Sequence, residues 1–160
     1  MASAIHNILI ALHALGGIVC FITGCMVLVP PVRQHAGRRW LFNLFLGSLA
    51  LMLVPLFLVI AVDWPQLDAA RRVIFTALGA LGLYMAWRAV QAHRALQAQP
   101  EGWRLKYIDH VGFNLISLFD GFVIVAAIDL GTPGWLVGVI ALFGIAGGIW
   151  GVNIAKSKAL

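Results

Sequence analysis

Charge is what this sequence has least of. Only 11% of its 160 residues are Asp, Glu, Lys or Arg, where a soluble domain carries about 25%. With 62% of the chain in the hydrophobic set, ionised side chains are too few to cover the apolar surface of a water-soluble fold. Both a soluble enzyme domain and a disordered chain are thereby excluded. Two cysteines are too few for a secreted disulfide scaffold. No nucleophile elbow, phosphate loop or His-Glu-x-x-His metal site occurs. No low-complexity linker divides the chain and no repeat is evident.

What the sequence does have is long apolar runs. A membrane-spanning helix needs about 20 mostly apolar residues, and five stretches qualify, over about 5–29, 41–62, 73–90, 111–128 and 135–155. The expected fold is all-α: a polytopic transmembrane helix bundle of five spans, forming one domain over 1–160. The first run is longer than the roughly 7–15 residues of a signal-peptide core and no Lys or Arg precedes it, so it is expected to stay as a helix. Pro55 is expected to kink the second helix. Arg88 to Gln99 contains good helix formers, so the third helix should continue past its apolar run until Pro100 and Gly102 break it.

Basic residues orient the bundle. Arg33, Arg38 and Arg39, then Arg88, Arg94, Arg104 and Lys106, then Lys156 and Lys158 place nine of the eleven on one side of a five-span chain. By the positive-inside rule that side is cytoplasmic, with the N-terminus outside and the C-terminus in the cytoplasm. Trp40, Trp87, Trp103, Tyr107 and Trp150 fall near the basic boundary, and Trp64 and Trp135 near the other, where amphipathic rings favour the headgroup level. The net charge of +5 then serves attraction to anionic lipid, and no nucleic-acid partner is expected.

Asp120 is the most informative residue. It lies about nine residues from the outer end of the fourth span, roughly 13 Å deep at 1.5 Å per residue. Intramembrane carboxylates are costly and normally face the bundle interior with a partner. His13 lies roughly 12 Å deep in the first span by the same rise. Equal depth makes a His13–Asp120 pair the expected buried polar site, either as a latch fixing helix register or as a proton relay. His110, Asn114, Ser117 and Gly121 follow at i, i+4, i+7 and i+11 on one helix face, beside Asp120. Such a face lines a polar path or forms interhelical hydrogen bonds.

Five histidines raise a b-type haem as an alternative, since a haem between helices takes axial His ligands. His93 and His110 both lie at the basic boundary, with His35 in the neighbouring connection, and the same three residues are the candidate metal ligands. Cys20 and Cys25, five residues apart, point about 140° away from each other on one helix and are expected to be small buried hydrophobes. In the fifth span Gly134, Gly138, Gly144, Gly147, Gly148 and Gly151 provide small residues at the four-residue spacing that lets helix backbones approach. Gly16, Gly17 and Gly24 do so in the first span, and Gly79 and Gly82 in the third.

The run His13-Ala14-Leu15-Gly16-Gly17, Gly24, and the connection His35-Ala36-Gly37-Arg38 before Trp40 resemble a family of small uncharacterised bacterial inner-membrane proteins, over the first 60 residues. The resemblance implies a membrane bundle, and through haem-binding helical relatives it lends weight to the haem alternative. It implies no activity. The function expected from the sequence is that of a non-enzymatic inner-membrane protein: an accessory subunit of other membrane proteins or a homo-oligomer, or a bundle holding a lipophilic ligand, with the His/Asp site at its centre. A b-type haem electron carrier and a small oligomeric transporter or proton relay are the alternatives.

Overall fold

The computed structural model describes residues 2–29 and 38–159. Five long helices account for nearly all of them: α1 (Ala2–Leu28), α2 (Arg38–Asp63), α3 (Ala69–Ala98), α4 (Trp103–Asp129) and α5 (Gly134–Ser157). Each is long and apolar enough to cross a membrane, as the five apolar runs require. α2 continues through Pro55 to a single 3₁₀ turn, Trp64–Gln66. α3 begins on Asp68, whose carboxylate accepts from the Arg71 N–H at 2.8 Å, an N-cap that satisfies one of the free donors of the first turn. It runs on through the basic stretch and ends where Gln99 turns left-handed with φ 47°, one residue before Pro100.

α1 to α4 form a closed ring. α1 packs on α2, α2 on α3, α3 on α4, and α4 back on α1; α5 lies outside this ring and leans mainly on α4. The chain therefore runs up and down, with one end built from the Leu28 end of α1, the α3–α4 turn and the end of α5. This basic end holds the densest core. Phe42 and Phe45 of α2 sit with ring centroids 5.7 Å apart, and Phe42 meets Tyr107 of α4 at 5.4 Å and the His93 ring of α3 at 5.9 Å. Val27, Ala92, Ile108 and Val111 are buried around them.

Small residues set the spacings. A Cβ on Gly16 would fall 2.7 Å from the Met52 nitrogen and 2.9 Å from the Leu51 carbonyl carbon, so α1 and α2 touch backbone to backbone there. One turn earlier the His13 Nδ1–H donates to the Met52 carbonyl at 2.8 Å. At the opposite end His6 Nδ1 and Asp63 Oδ2 close the same pair of helices at 3.1 Å. The outward faces carry large exposed apolar side chains, among them Ile8, Ile18, Val54, Leu58 and Leu142. In water such a continuous patch marks a surface made for an apolar partner. On a multi-pass protein it is the face that meets lipid.

Candidate functional site

The α4–α5 contact is a four-residue zip. Gly144 lies on the carboxyl of Asp120 and the ring of Phe119, Gly148 lies on Ile116, and Val152 lies on Gly112. Both helices step by four in antiparallel register, so the i, i+4 ridge of each seats in the other. Alternating small and large residues bring the helices close, but only along this one line. α5 has no buried residue, and beside the zip it stands away from α1.

The space left between α1, α4 and α5 is a groove of about 660 Å³, within the range of pockets that hold small molecules. Its walls are apolar: Phe21 and Leu28 of α1, Leu115, Ile116 and Phe119 of α4, Ile140 and Phe143 of α5. Gly147 and Gly151 line it as well, and a Cβ on either would meet nothing within 4 Å. From Ile140 to Gly151 the groove follows eleven residues of helix, roughly 16 Å at 1.5 Å per residue.

The sequence expectations divide on this geometry. The five helices long and apolar enough to span a membrane and the long third helix are found. Asp120 is buried, with 8% of its surface exposed, and its Oδ1 has no hydrogen-bond partner. No hydrogen bond or ion pair joins it to His13, because His13 turns to α2 and bonds Met52, whereas Asp120 turns to α5. Gly17 sits beside Phe122 and Gly24 beside Leu115, which sets Asp120 level with about residue 19 of α1, roughly 9 Å along the helix from His13, so level and direction both differ and the expected pair is replaced by two separate polar groups. Asn114 is fully buried and Ser117 half-buried on the face of α4 that also carries His110. Of the six glycines of α5, Gly144 and Gly148 meet α4, Gly147 and Gly151 face the groove, and Gly134 and Gly138 meet nothing within 4 Å.

His93 and His110 each keep a buried Nδ1 without a hydrogen-bond partner. The Gln97 amide donates to His93 Nε2 at 2.8 Å while the ring stacks on Phe42, which occupies the lone pair an axial ligand needs. His35 lies outside the described residues. Among the described residues no group of three or more His, Cys, Asp or Glu gathers as a metal site would require. Cys20 is buried, with its thiol 3.8 Å from the Phe45 carbonyl; Cys25, expected to be buried, is exposed because it points away from α2; both are free thiols.

The sequence reading missed a polar hub at the basic end. Arg88 Nη2 donates to the Asp109 carbonyl at 2.9 Å, its guanidinium lies 5.0 Å from the Phe113 ring centre, and Lys156 pairs with the Asp109 carboxylate. Asp109 thus ties α3, α4 and α5 together. The partners are partly exposed, and such pairs contribute at most about 1 kcal/mol. Gly112 was missed as well, although Gly112, Ile116 and Asp120 at steps of four already draw a line on α4. Comparisons with protein-family models, with curated proteins and with solved structures find no match for the chain.

Proposed function

We propose that this is a non-enzymatic, multi-pass protein of a bacterial inner membrane that holds one hydrocarbon chain of a lipophilic ligand in the α1–α4–α5 groove, as an accessory subunit to other membrane components. The orientation that goes with this reading has the N-terminus outside and the basic end in the cytoplasm, supported by the asymmetry of Lys and Arg and by the positive-inside rule. The observation that carries the ligand reading is the pair of open glycines. α5 contacts α4 through Gly144 and Gly148, and these glycines are required for that approach. Gly147 and Gly151 make no such contact, yet they keep the groove wide where side chains would fill it. The lining carries no charge, so the occupant is a chain of methylene or prenyl character, in a groove whose length matches an extended tail and whose mouth opens sideways to lipid.

Filling the groove tests this without touching the zip. The Gly147→Leu protein is expected to fold as the parent does and to lose its retained lipid. The measurement is native mass spectrometry of the detergent-purified protein after exhaustive detergent exchange. The parent should carry one tightly held lipid or lipid-soluble molecule per chain, and Gly147→Leu at least tenfold less. Equal retention by both proteins would remove the groove as the site.

A further inference from the structure

α4 carries buried polar atoms on a face that the groove does not use. Asn114 is fully buried, and neither its amide oxygen nor its amide nitrogen has a protein partner. The same holds for His110 Nδ1, for Arg88 Nε across the α3–α4 seam, and for Asp120 Oδ1. His110, Asn114, Ser117 and Asp120 follow at steps of four, three and three, with axial rises of roughly 6, 4.5 and 4.5 Å. Each interval is too long for a direct hydrogen bond and suits a bridge of one or two waters. In hydrocarbon an unsatisfied polar group costs several kcal/mol, so a run of them along one face is a line of sites for something that hydrogen-bonds. The line starts at the basic end, beside Arg88 and Asp109, and stops at Asp120. Beyond it Gly121 to Ala127 carry no polar side chain. At its inner limit Gly121 lies on the same face, and a Cβ there would meet nothing within 4 Å beyond its chain neighbours.

We propose that Asp120 is a reversible proton-binding site reached from the basic end alone, with water along His110, Asn114 and Ser117 delivering the proton. Hydronium gives its proton to the carboxylate oxygen, leaving water and a neutral carboxylic acid; release is the reverse. The three helices packed on α4 offer no competing ion pair. From α1, His13 bonds the Met52 carbonyl. From α3, Arg88 bonds the Asp109 carbonyl, while Arg71 and Arg72 lie at the far end with Asp68 and the Trp64 ring. From α5, Lys156 pairs with Asp109. On α4 itself His110 is the nearest titratable group along the face. Because Asp120 also lies against the Gly144 backbone, its charge state bears on how α5 seats. The site does not rest on the groove reading: Asp120 borders the α5 zip but does not line the groove, His110, Asn114 and Ser117 lie away from it, and the ligand is of another class.

Infrared spectroscopy of the full chain in phospholipid vesicles reads this directly. One component of the protonated carboxylic acid carbonyl band is expected to belong to Asp120: present at low pH, lost as pH rises, and missing from the difference spectrum of Asp120→Asn, which keeps the components of the other carboxyls. When buffer is exchanged for D₂O, the band should shift within the mixing time in the parent. In Asn114→Leu and in Ser117→Val it should shift at least tenfold more slowly. Asn114→Leu replaces an unpartnered buried amide with a side chain of similar volume, so its melting temperature should equal or exceed the parent's, and slowing cannot be ascribed to unfolding. No band assignable to Asp120 at any pH, or an exchange rate unchanged in both path variants, would overturn the proposal.

Discussion

Replacing Gly16 with alanine is expected to separate α1 from α2 and to destabilise the protein by about 3 kcal/mol, at the upper end of the range for overpacked sites. The added methyl would lie 2.7 Å from a backbone nitrogen and 2.9 Å from a carbonyl carbon of α2. Neither atom can rotate out of the way, so the helices themselves must part. The hydrogen bond from His13 to the Met52 carbonyl sits one turn from the collision, and its loss adds to the cost, since interhelical bonds in membranes contribute roughly 0.6–2 kcal/mol. Gly47 on α2 is the control, because a Cβ there meets nothing within 4 Å. Gly47→Ala should be neutral or stabilising by up to about 1 kcal/mol through the better helix propensity of alanine. Denaturation in detergent micelles, followed by circular dichroism, measures both. Equal behaviour of the two variants would contradict the backbone contact.

Gly144→Leu is expected to lift α5 from the bundle while α1 to α4 stay together. The new side chain starts inside the Asp120 carboxyl and the Phe119 ring. No residue of α5 is buried, and its main support is α4, so little else holds it at that level. A cysteine pair at positions 116 and 148, in a chain with Cys20 and Cys25 replaced by alanine, reports on the seam. Ile116 and Gly148 are in contact, so the pair should form a disulfide readily. Adding Gly144→Leu should cut the yield at least tenfold, whereas adding Gly147→Leu should leave it unchanged. The two glycines are three positions apart and face different neighbours, which makes the contrast specific to the zip.

The spans were legible in the sequence because their signal is local. Twenty apolar residues in a row must form a helix in lipid, where every backbone polar group has to be satisfied within the segment. The reach of α3 past Arg88 was legible for the same reason, from propensity and from Pro100. The start of α4 was not. The run Trp103 to His110 is polar and scores poorly as a span, yet it is helical and supplies Tyr107 and Ile108 to the core. Neighbour relations were the least legible. Depth counted along each helix does not fix how neighbouring helices slide, and Gly17 beside Phe122 with Gly24 beside Leu115 sets Asp120 level with about residue 19 of α1 rather than with His13. Azimuth depends on which helix lies next to which, and nothing in a single chain says that α5 packs outside the ring on α4. The pairing of His13 with Asp120 failed on level and on direction, and the division of the α5 glycines between α4 and the groove was equally hidden in the sequence. The groove exists because those glycines divide between two directions.

The most direct test places a photoreactive analogue of phenylalanine at two adjacent positions of α5 in the purified, detergent-exchanged protein. Phe143 lines the edge of the groove, where it is 75% exposed, and Leu142, 67% exposed, lies on α5 outside the groove. Irradiation is predicted to attach a co-purifying hydrocarbon chain to position 143, with little or none at 142, and to lose the adduct when Gly147→Leu is added. Adducts of equal abundance at both positions, unaffected by Gly147→Leu, would show that lipid merely coats α5 and would contradict a held chain.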